Sequence, residues 1–377
     1  MPPASPLRIL LTNSSTMYGG GEFYVLQLAT ALQQRGHSVW ISCKPNNLLL
    51  EKCETAGIPT VPLDFPPQGR LYKFMELLLK FVRGNAIQII HSNANYDRTA
   101  SAFAAWRAGI AHVTNVHSLH SIQHNLTHLF RNRIMTHHFL ADGVRVKDML
   151  VSQDHIPSSK ISVFYHGVNP DQMRRDEQQR HIVRAQFGFT EEHIVIGNVA
   201  RLVQMKGQTY LLQAFANVSA KFPCVRLVVV GDGELRKELE LLAQTLAIQQ
   251  HVVFTGFRDD LQALYSSFDI YAHSSVEGGG ETISFTVQQA LAQELPVIVT
   301  NVGDVPENVR EGVNGFVVPD RDANALAEKL MILVKDHSLR QTMGKESRKY
   351  LLERFTTEHM VSAVEEIYGN VLQSRMR

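Results

Sequence analysis

The sequence predicts an α/β protein made of two doubly wound domains, each built on a parallel sheet. Three observations carry this. Short continuous apolar runs, such as Leu227-Val228-Val229-Val230, alternate with stretches of helical spacing, as strands buried on both faces do. Ten or more such runs are too many for one compact sheet. The alternation also starts afresh near residue 193. A chain of 377 residues is long enough for two domains.

Residues 7–12 read as a strand, followed by a polar, glycine-rich break and a helix over 22–35 that Gly36 ends. Residues 39–43 form the next strand, which completes a βαβ unit. Strands continue at 87–91, 111–117, 138–141 and 161–165. The polar, charged stretch 169–180 reads as a linker. In the second half, strands are expected at 193–200, 225–231, 251–255, 270–273, 297–300 and 316–318. Helices are expected at 208–221, 234–246, 259–267, 283–292 and 324–335. Residues 357–372 form a last helix, with Met360, Val361, Val364, Ile367, Tyr368 and Val371 on one stripe.

Hydrophobic residues make up 44% and charged residues 19%, a balance that excludes a disordered chain or a coiled coil. No apolar run approaches the ~20 residues of a spanning helix. The opening stretch 1–6 lacks the basic-then-apolar pattern of a secretory signal. Cys43, Cys53 and Cys224 are odd in number and unrelated in spacing. Both features lead us to expect a reducing, cytoplasmic setting. The net charge of +1 hides an asymmetry. Residues 1–170 carry 15 Lys+Arg against 9 Asp+Glu, and hold 11 of the 17 histidines. A basic first half suits an anionic partner, such as a phosphorylated substrate or a membrane surface. Residues 71–83 are apolar with Lys73, Lys80 and Arg83 among them, a pattern shared by membrane-interface helices and by sheet-covering ones. The overall charge balance and the lack of a basic–aromatic strand pattern argue against nucleic-acid binding.

Ligands of doubly wound sheets bind beyond the carboxyl ends of the strands, and with two such domains the expected place is a central cleft. Gly19-Gly20-Gly21-Glu22 follows the first strand, and there the backbone of Gly20 and Gly21 and a helix N-terminus can approach a phosphate. A dinucleotide fingerprint fails, because Tyr24 stands where its third glycine belongs. After the first strand of the second domain, Arg201 and Lys206 place two cations at a strand end, which suits a diphosphate leaving group. The segment 274–292 runs from a strand end through Gly278-Gly279-Gly280 into a helix. Glu281 precedes that helix and Gln289 lies about two turns into it. The N–H groups of Ser284, Phe285 and Thr286 can hold a phosphate, and Glu281 can accept bonds from sugar hydroxyls. Asp320-Arg321-Asp322 matches the metal-binding Asp-x-Asp pattern, but Asp322 reads as the N-cap of the next helix. No His-Glu-x-x-His occurs, and His137-His138 in a strand face opposite ways, so no metal site is expected.

These segments resemble the GT-B-fold retaining glycosyltransferases of family 4, also described as glycosyl transferases group 1. The resemblance spans nearly the whole chain. It rests on Gly19-Gly20-Gly21-Glu22, Tyr165-His166-Gly167-Val168-Asn169, Val199-Ala200-Arg201-Leu202 with Lys206-Gly207, Val230-Gly231-Asp232-Gly233-Glu234, Val253-Phe254-Thr255-Gly256-Phe257, the run from Glu281 to Ala292, Pro296-Val297-Ile298-Val299-Thr300, and Gly315-Phe316-Val317-Val318-Pro319. It implies two Rossmann-like domains, residues 1–170 for the acceptor and 171–358 for the nucleotide-sugar, with residues 359–377 packing back on the first. The family's paired glutamates map onto Glu281 and Gln289. A glutamine there keeps one neutral acceptor for the ribose hydroxyls. The resemblance also points to His117, at a strand end, as a contact to the donor sugar and its phosphate. His120 and His124 read as loop histidines. Gly256 and Phe257 join the donor-binding set.

The implied activity is a retaining, metal-independent, hexosyltransferase-type transfer from a nucleotide-diphosphate sugar, with no cofactor. The leaving phosphate takes the acceptor proton. The setting is cell-envelope polysaccharide or glycolipid assembly at the inner face of the membrane. An epimerase or phosphorylase of the same fold, and a catalytically silent sugar-nucleotide-binding partner subunit, are the alternatives.

Overall fold

Residues 6–16, 18–64 and 71–376 are described by the computed structural model, side chains included except at 71–73 and 376. Residues 1–5 of the stretch searched for a signal, and the side chain of Lys73, lie outside the described residues. The chain divides into two units, Met1–His166 with Thr357–Arg377, and Gly167–Thr356.

Among the described residues, the first unit has a seven-stranded parallel sheet. Its strands are β1 (Arg8–Thr12), β2 (Ser38–Cys43), β3 (Thr60–Pro62), β4 (Ile89–Ser92), β5 (Ala111–Val116), β6 (His138–Ala141) and β7 (Ile161–Val163), in the order β3-β2-β1-β4-β5-β6-β7. Leu10 pairs with Trp40 on one side and Ile90 on the other. The strand alternation sends Ile9 and Leu11 to one face, against Tyr24, Val25, Leu28 and Leu32 of the helix Gly20–Gln34. Leu10 and Ile90 face Phe74, Leu78, Val82 and Ala104 on the other. The three-residue β3 was not expected from sequence. It lies at the sheet edge, where Pro62 leaves no ladder bond unmade.

The helix Leu71–Gly84 buries Phe74, Met75, Leu78 and Val82 in this core. Its apolar stripe is therefore covered by the unit itself, and Glu76, Leu77, Lys80 and Arg83 point outward.

The second unit has a six-stranded parallel sheet among the described residues: β8 (Ile194–Val199), β9 (Val225–Val230), β10 (Val252–Gly256), β11 (Ile270–His273), β12 (Val297–Thr300) and β13 (Gly315–Val318), in the order β10-β9-β8-β11-β12-β13. Strand order reverses direction between β1 and β4 in the first unit and between β8 and β11 in the second. These are the switch points at which ligands enter such sheets.

The expected linker 169–180 needs correction, because a helix, Glu177–Gln186, begins inside it. Asp176 caps that helix at Gln179 N. Arg180 and Arg184 are buried, and both reach Asp269, at 2.7 and 3.2 Å. Arg180 also donates to the carbonyls of Ser266 and Phe268, and Arg184 to that of Ser267. A charged stretch suggests solvent exposure, whereas here the guanidinium groups satisfy carbonyls and a carboxylate inside the unit.

The last helix, Thr357–Met376, lays Met360, Val361, Val364, Ile367, Tyr368 and Val371 into the same core as Tyr24 and Leu28 of the first unit. Arg35 pairs with Glu358 and Glu365, and His37 Nε2 meets Glu365 at 2.8 Å. Each large apolar side chain buried contributes roughly 1.5–3 kcal/mol. Deleting the residues after Glu358 is therefore expected to strip amide protection from the first unit's sheet and leave that of the second. Hydrogen exchange reads this directly, and equal protection in both units after deletion would refute it.

Candidate functional site

In the second unit, the loops after β8, β9 and β11 pack against one another at the switch point. Gly207 adopts φ +60°, and a Cβ there would lie 2.1 Å from the carbonyl oxygen of Ser274. Gly231 at φ +129° would bring a Cβ to 2.0 Å from the Ala200 oxygen. Both positions therefore need glycine, for conformation and for contact. Val276 N donates to Met205 O at 2.9 Å, and Ser274 Oγ to Lys206 O at 2.9 Å.

This close approach brings Lys206 and Glu281 together. Lys206 Nζ donates to Glu281 Oε2 at 2.5 Å, with the two side chains 17% and 9% exposed. Ser275 Oγ donates to the same oxygen at 3.0 Å. Burial pushes the Glu281 carboxyl up, but the Lys206 charge and the hydrogen bonds from Lys206 and Ser275 outweigh it and hold the group below its ordinary value. His273, with Nε2 3.9 Å from Glu281 Oε1, is pushed down to about 4 by burial and stays neutral.

Arg201 is exposed beside this pair in sequence, and its guanidinium has no partner among the described residues. The helix Phe285–Ala292 starts at Ser284, whose hydroxyl accepts from Val287 N at 3.5 Å. The N–H groups of its first turn have no intrahelical acceptor. Gln289, 5% exposed, has an amide oxygen with no partner among the described residues. Gly256 (φ +75°) ends β10, and Phe257 beyond it is 70% exposed.

The Asp-x-Asp match is engaged in the unit's own structure. Asp320 accepts from Glu277 N and pairs with Arg321, which donates to Glu277 O. Asp322 accepts from Ala325 N as an N-cap.

In the first unit, Glu22 folds back over the break after β1, accepting from Gly19 N at 2.9 Å and from Asn13 Nδ2 at 3.2 Å. A Cβ on Gly20 or Gly21 would meet nothing within 4 Å, so the chain's own packing does not require glycine there.

His117 immediately follows β5. Buried Arg98 steadies the end of that strand through Thr114 Oγ1 and Asn115 O, both at 3.0 Å. His117 Nδ1 donates to Asp142 Oδ2 at 2.5 Å, and His166 Nε2 donates to the same oxygen at 2.7 Å. Burial opposes charge on His117, but Asp142 overcomes it, so the net shift is upward. These three donor groups lie within 4.8 Å of one another, close enough to suggest metal ligands. Ligands of a tetrahedral ion on ~2.1 Å radii sit roughly 3.4 Å apart. The shorter separations here are hydrogen bonds through one shared oxygen. His120 is exposed, and His124 meets His128 edge-on with ring centroids 5.5 Å apart, away from this cluster.

The sequence reading named neither Asp142, His166, His273 nor Ser275 as site residues. Their shared signal was position. Asp142 and His273 stand at or just after strand ends, and His166 and Ser275 follow within a few residues.

Residues 18–172, most of the first unit and the start of the second, match the family described as Glycosyltransferase Family 4. Residues 179–350 of the second unit match the one described as Glycosyl transferases group 1. The EpsD protein of Bacillus subtilis (strain 168) is 33% identical over 206 residues, covering 54% of this chain and 52% of that protein. The N-acetyl-alpha-D-glucosaminyl L-malate synthase of Bacillus anthracis is 27% identical over 232 residues, covering 60% and 59%. The chain thus spans little more than half the length of these relatives. The solved glycosyltransferase from Rickettsia africae ESF-5 superposes with a TM-score of 0.89 at 20% identity, over 98% of this chain and 99% of that one. Anabaena Alr3699/HepE in complex with UDP superposes with a TM-score of 0.86 at 21% identity, over 97% and 100%. At these identities the two structures share the fold.

Proposed function

We propose that this chain, which belongs to the GT-B-fold glycosyltransferases of group 1 and family 4, moves a sugar from a nucleotide-diphosphate donor to a hydroxyl acceptor with retention at the anomeric carbon. The observation that carries the reading is the part-buried Lys206–Glu281 pair at the β8/β11 switch point, with the unpartnered Arg201 in the same loop as Lys206. A part-buried ammonium and an unpaired guanidinium suit a diphosphate whose negative charge grows as it leaves. They supply that charge from the chain's own residues, which supports a metal-independent reaction.

In this reading the acceptor oxygen forms the new bond to the anomeric carbon on the face from which the diphosphate departs. The bond from that carbon to the diphosphate oxygen breaks, and the acceptor proton passes to the leaving phosphate. The products are a glycoside and a nucleoside diphosphate. Arg201, Lys206 and the first-turn N–H groups from Ser284 to Thr286 bind the diphosphate. Glu281, ionised and fixed by Lys206 and Ser275, accepts from sugar hydroxyls. The orphan oxygen of Gln289 takes a ribose hydroxyl, and the exposed ring of Phe257 offers the base a stacking face. In the first unit, His117 and the amides of Gly20 and Gly21 are this reading's contacts to an anionic substrate group.

The acceptor is a glycan or a lipid-linked one. For the latter, Leu77, Lys80 and Arg83 give the first unit a basic, apolar-tipped face toward the inner surface of the cell membrane. Among the described residues no helix is long and apolar enough to cross a membrane.

The deciding assay is release of nucleoside diphosphate from a panel of donors, with and without glycan and lipid acceptors. UDP-sugars come first, because Alr3699/HepE was solved with UDP and with UDP-glucose. Acceptor-dependent release supports transfer, release with a changed sugar and no acceptor points to epimerisation, and binding without release points to a silent subunit. Gln289→Glu sharpens the test. It places an unpaired carboxylate at a 5% exposed position, so the free protein is expected to lose stability. A bound ribose is expected to restore it, giving a larger thermal shift than wild type on adding nucleotide. A smaller shift would move the ribose site away from residue 289.

A further inference from the structure

Of the first-unit cluster, His166 and Asp142 have no role in the reaction just described, and Asp142 is the member that joins the other two. It stands at the end of β6, between rings that come from two other strand ends. Its Oδ2 takes both His117 Nδ1 and His166 Nε2, and the side chain is 1% exposed. His117 Nε2 has no hydrogen-bond partner among the described residues, and neither has Asp142 Oδ1. Tyr24 packs edge-on against both rings, with centroids 5.6 Å from His117 and 4.7 Å from His166. The two imidazoles lie 5.5 Å apart.

This geometry leaves the His117 ring one favourable orientation. Turning it over would take its N–H off Asp142 and strand half of a buried charge-assisted bond. With Nδ1 engaged, Nε2, buried and unpartnered here, is the end left to meet a ligand once its cover moves aside, and it can donate only if it carries a proton.

We propose that Asp142 is a positioning residue: it fixes the orientation of His117 and keeps it doubly protonated, so that Nε2 presents a charged N–H to a phosphate or sugar oxygen of the substrate. His166 is the second arm that holds the carboxylate in place. This rests on the reading of His117 as a substrate contact.

Several groups act on His117 besides Asp142. Glu22 of the first helix favours its proton, while Arg98 of the helix Asp97–Ala108 opposes it. His91 on β4 is coupled to it, and is itself held down to about 4 by burial. Tyr24 and His166 complete the surroundings. Asp142 is the dominant favourable group, so its charge decides the balance against burial. The sign follows from the raised value. The charged N–H is present below the pKa of His117 in the folded protein and is lost as pH rises through it.

The test compares wild type with Asp142→Asn, using histidine-labelled protein and NMR. The His117 titration midpoint is expected to fall by at least one pH unit in the variant, and the neutral ring to show mixed tautomers. Affinity for inorganic pyrophosphate is expected to fall about tenfold at pH 7.5 and much less at pH 5.5. If the amide variant fails to fold, Asp142→Ser, smaller and neutral, takes its place. His117→Ala separates the two claims. If it binds pyrophosphate as wild type does, His117 is not a substrate contact and the earlier reading of it fails. If it binds weakly while Asp142→Asn leaves the midpoint unmoved, the positioning role alone is overturned. A divalent ion retained in stoichiometric amount by the purified protein also overturns it, because ligation would then replace the shared proton.

Discussion

Replacing Lys206 with alanine is expected to lower turnover by on the order of 10²–10³, since in the proposed reaction its charge stabilises the leaving group. The same change strands the Glu281 carboxylate, which is 9% exposed. Leaving one side of such a part-buried pair unpartnered costs roughly 1–3 kcal/mol. Its pH dependence also has a defined sign. Glu281 is held below its ordinary value in the folded protein. That depression contributes stability above the unfolded carboxyl pKa of about 4.3, and loses it as pH falls through the lower folded value. In Lys206→Ala the contribution disappears, so the acid limb of the stability curve flattens. The double variant Lys206→Ala with Glu281→Gln separates structure from chemistry. Its denaturation midpoint is expected to return toward wild type while turnover stays low. Turnover near wild type in either variant would remove Lys206 from the reaction.

Gly207→Ala is expected to have an effect of similar size through the backbone alone. The residue sits at φ +60°, and its Cβ would be 2.1 Å from the Ser274 oxygen, a backbone atom that cannot swing aside. The left-handed conformation costs an alanine roughly 1–2 kcal/mol before any clash is counted. Relieving the clash must part the β8 and β11 loops, which separates Lys206 from Glu281. We expect a loss on the order of 3 kcal/mol in stability and a marked fall in turnover. Gly20→Ala is the contrast. Its Cβ meets nothing within 4 Å, so the folded protein should be as stable as wild type, and any loss of donor affinity would report contact with ligand. Chemical denaturation of both variants checks the pair, and equal midpoints would show that the Gly207 clash is relieved cheaply.

The sequence by itself determined the two parallel sheets, because a strand covered on both faces must be apolar throughout and the helices between must carry one apolar stripe. The runs that become β8, β9 and β11 show this plainly. The stripe of Tyr368 and Val364 likewise announced a helix that must bury one side. Arg201, Lys206 and Glu281 were legible as candidates because strand ends and helix starts are places where ligands bind.

Only the tertiary structure decided how those candidates are used. Lys206 and Glu281 are 75 residues apart, and no local spacing shows that one ammonium lies against one carboxylate. The three-residue β3 has too few side chains to form a pattern, and its place comes from pairing with β2. The segment 169–180 looked like a solvated linker because charge usually faces water. Arg180 at its end, like Arg184 beyond it, is buried instead, because Asp269 and three carbonyls converge on the pair from residues far along the chain. Asp142 is the extreme case. An aspartate before a glycine reads as a turn, and its meaning comes from two histidines, 25 and 24 residues away, whose protons its buried oxygen shares.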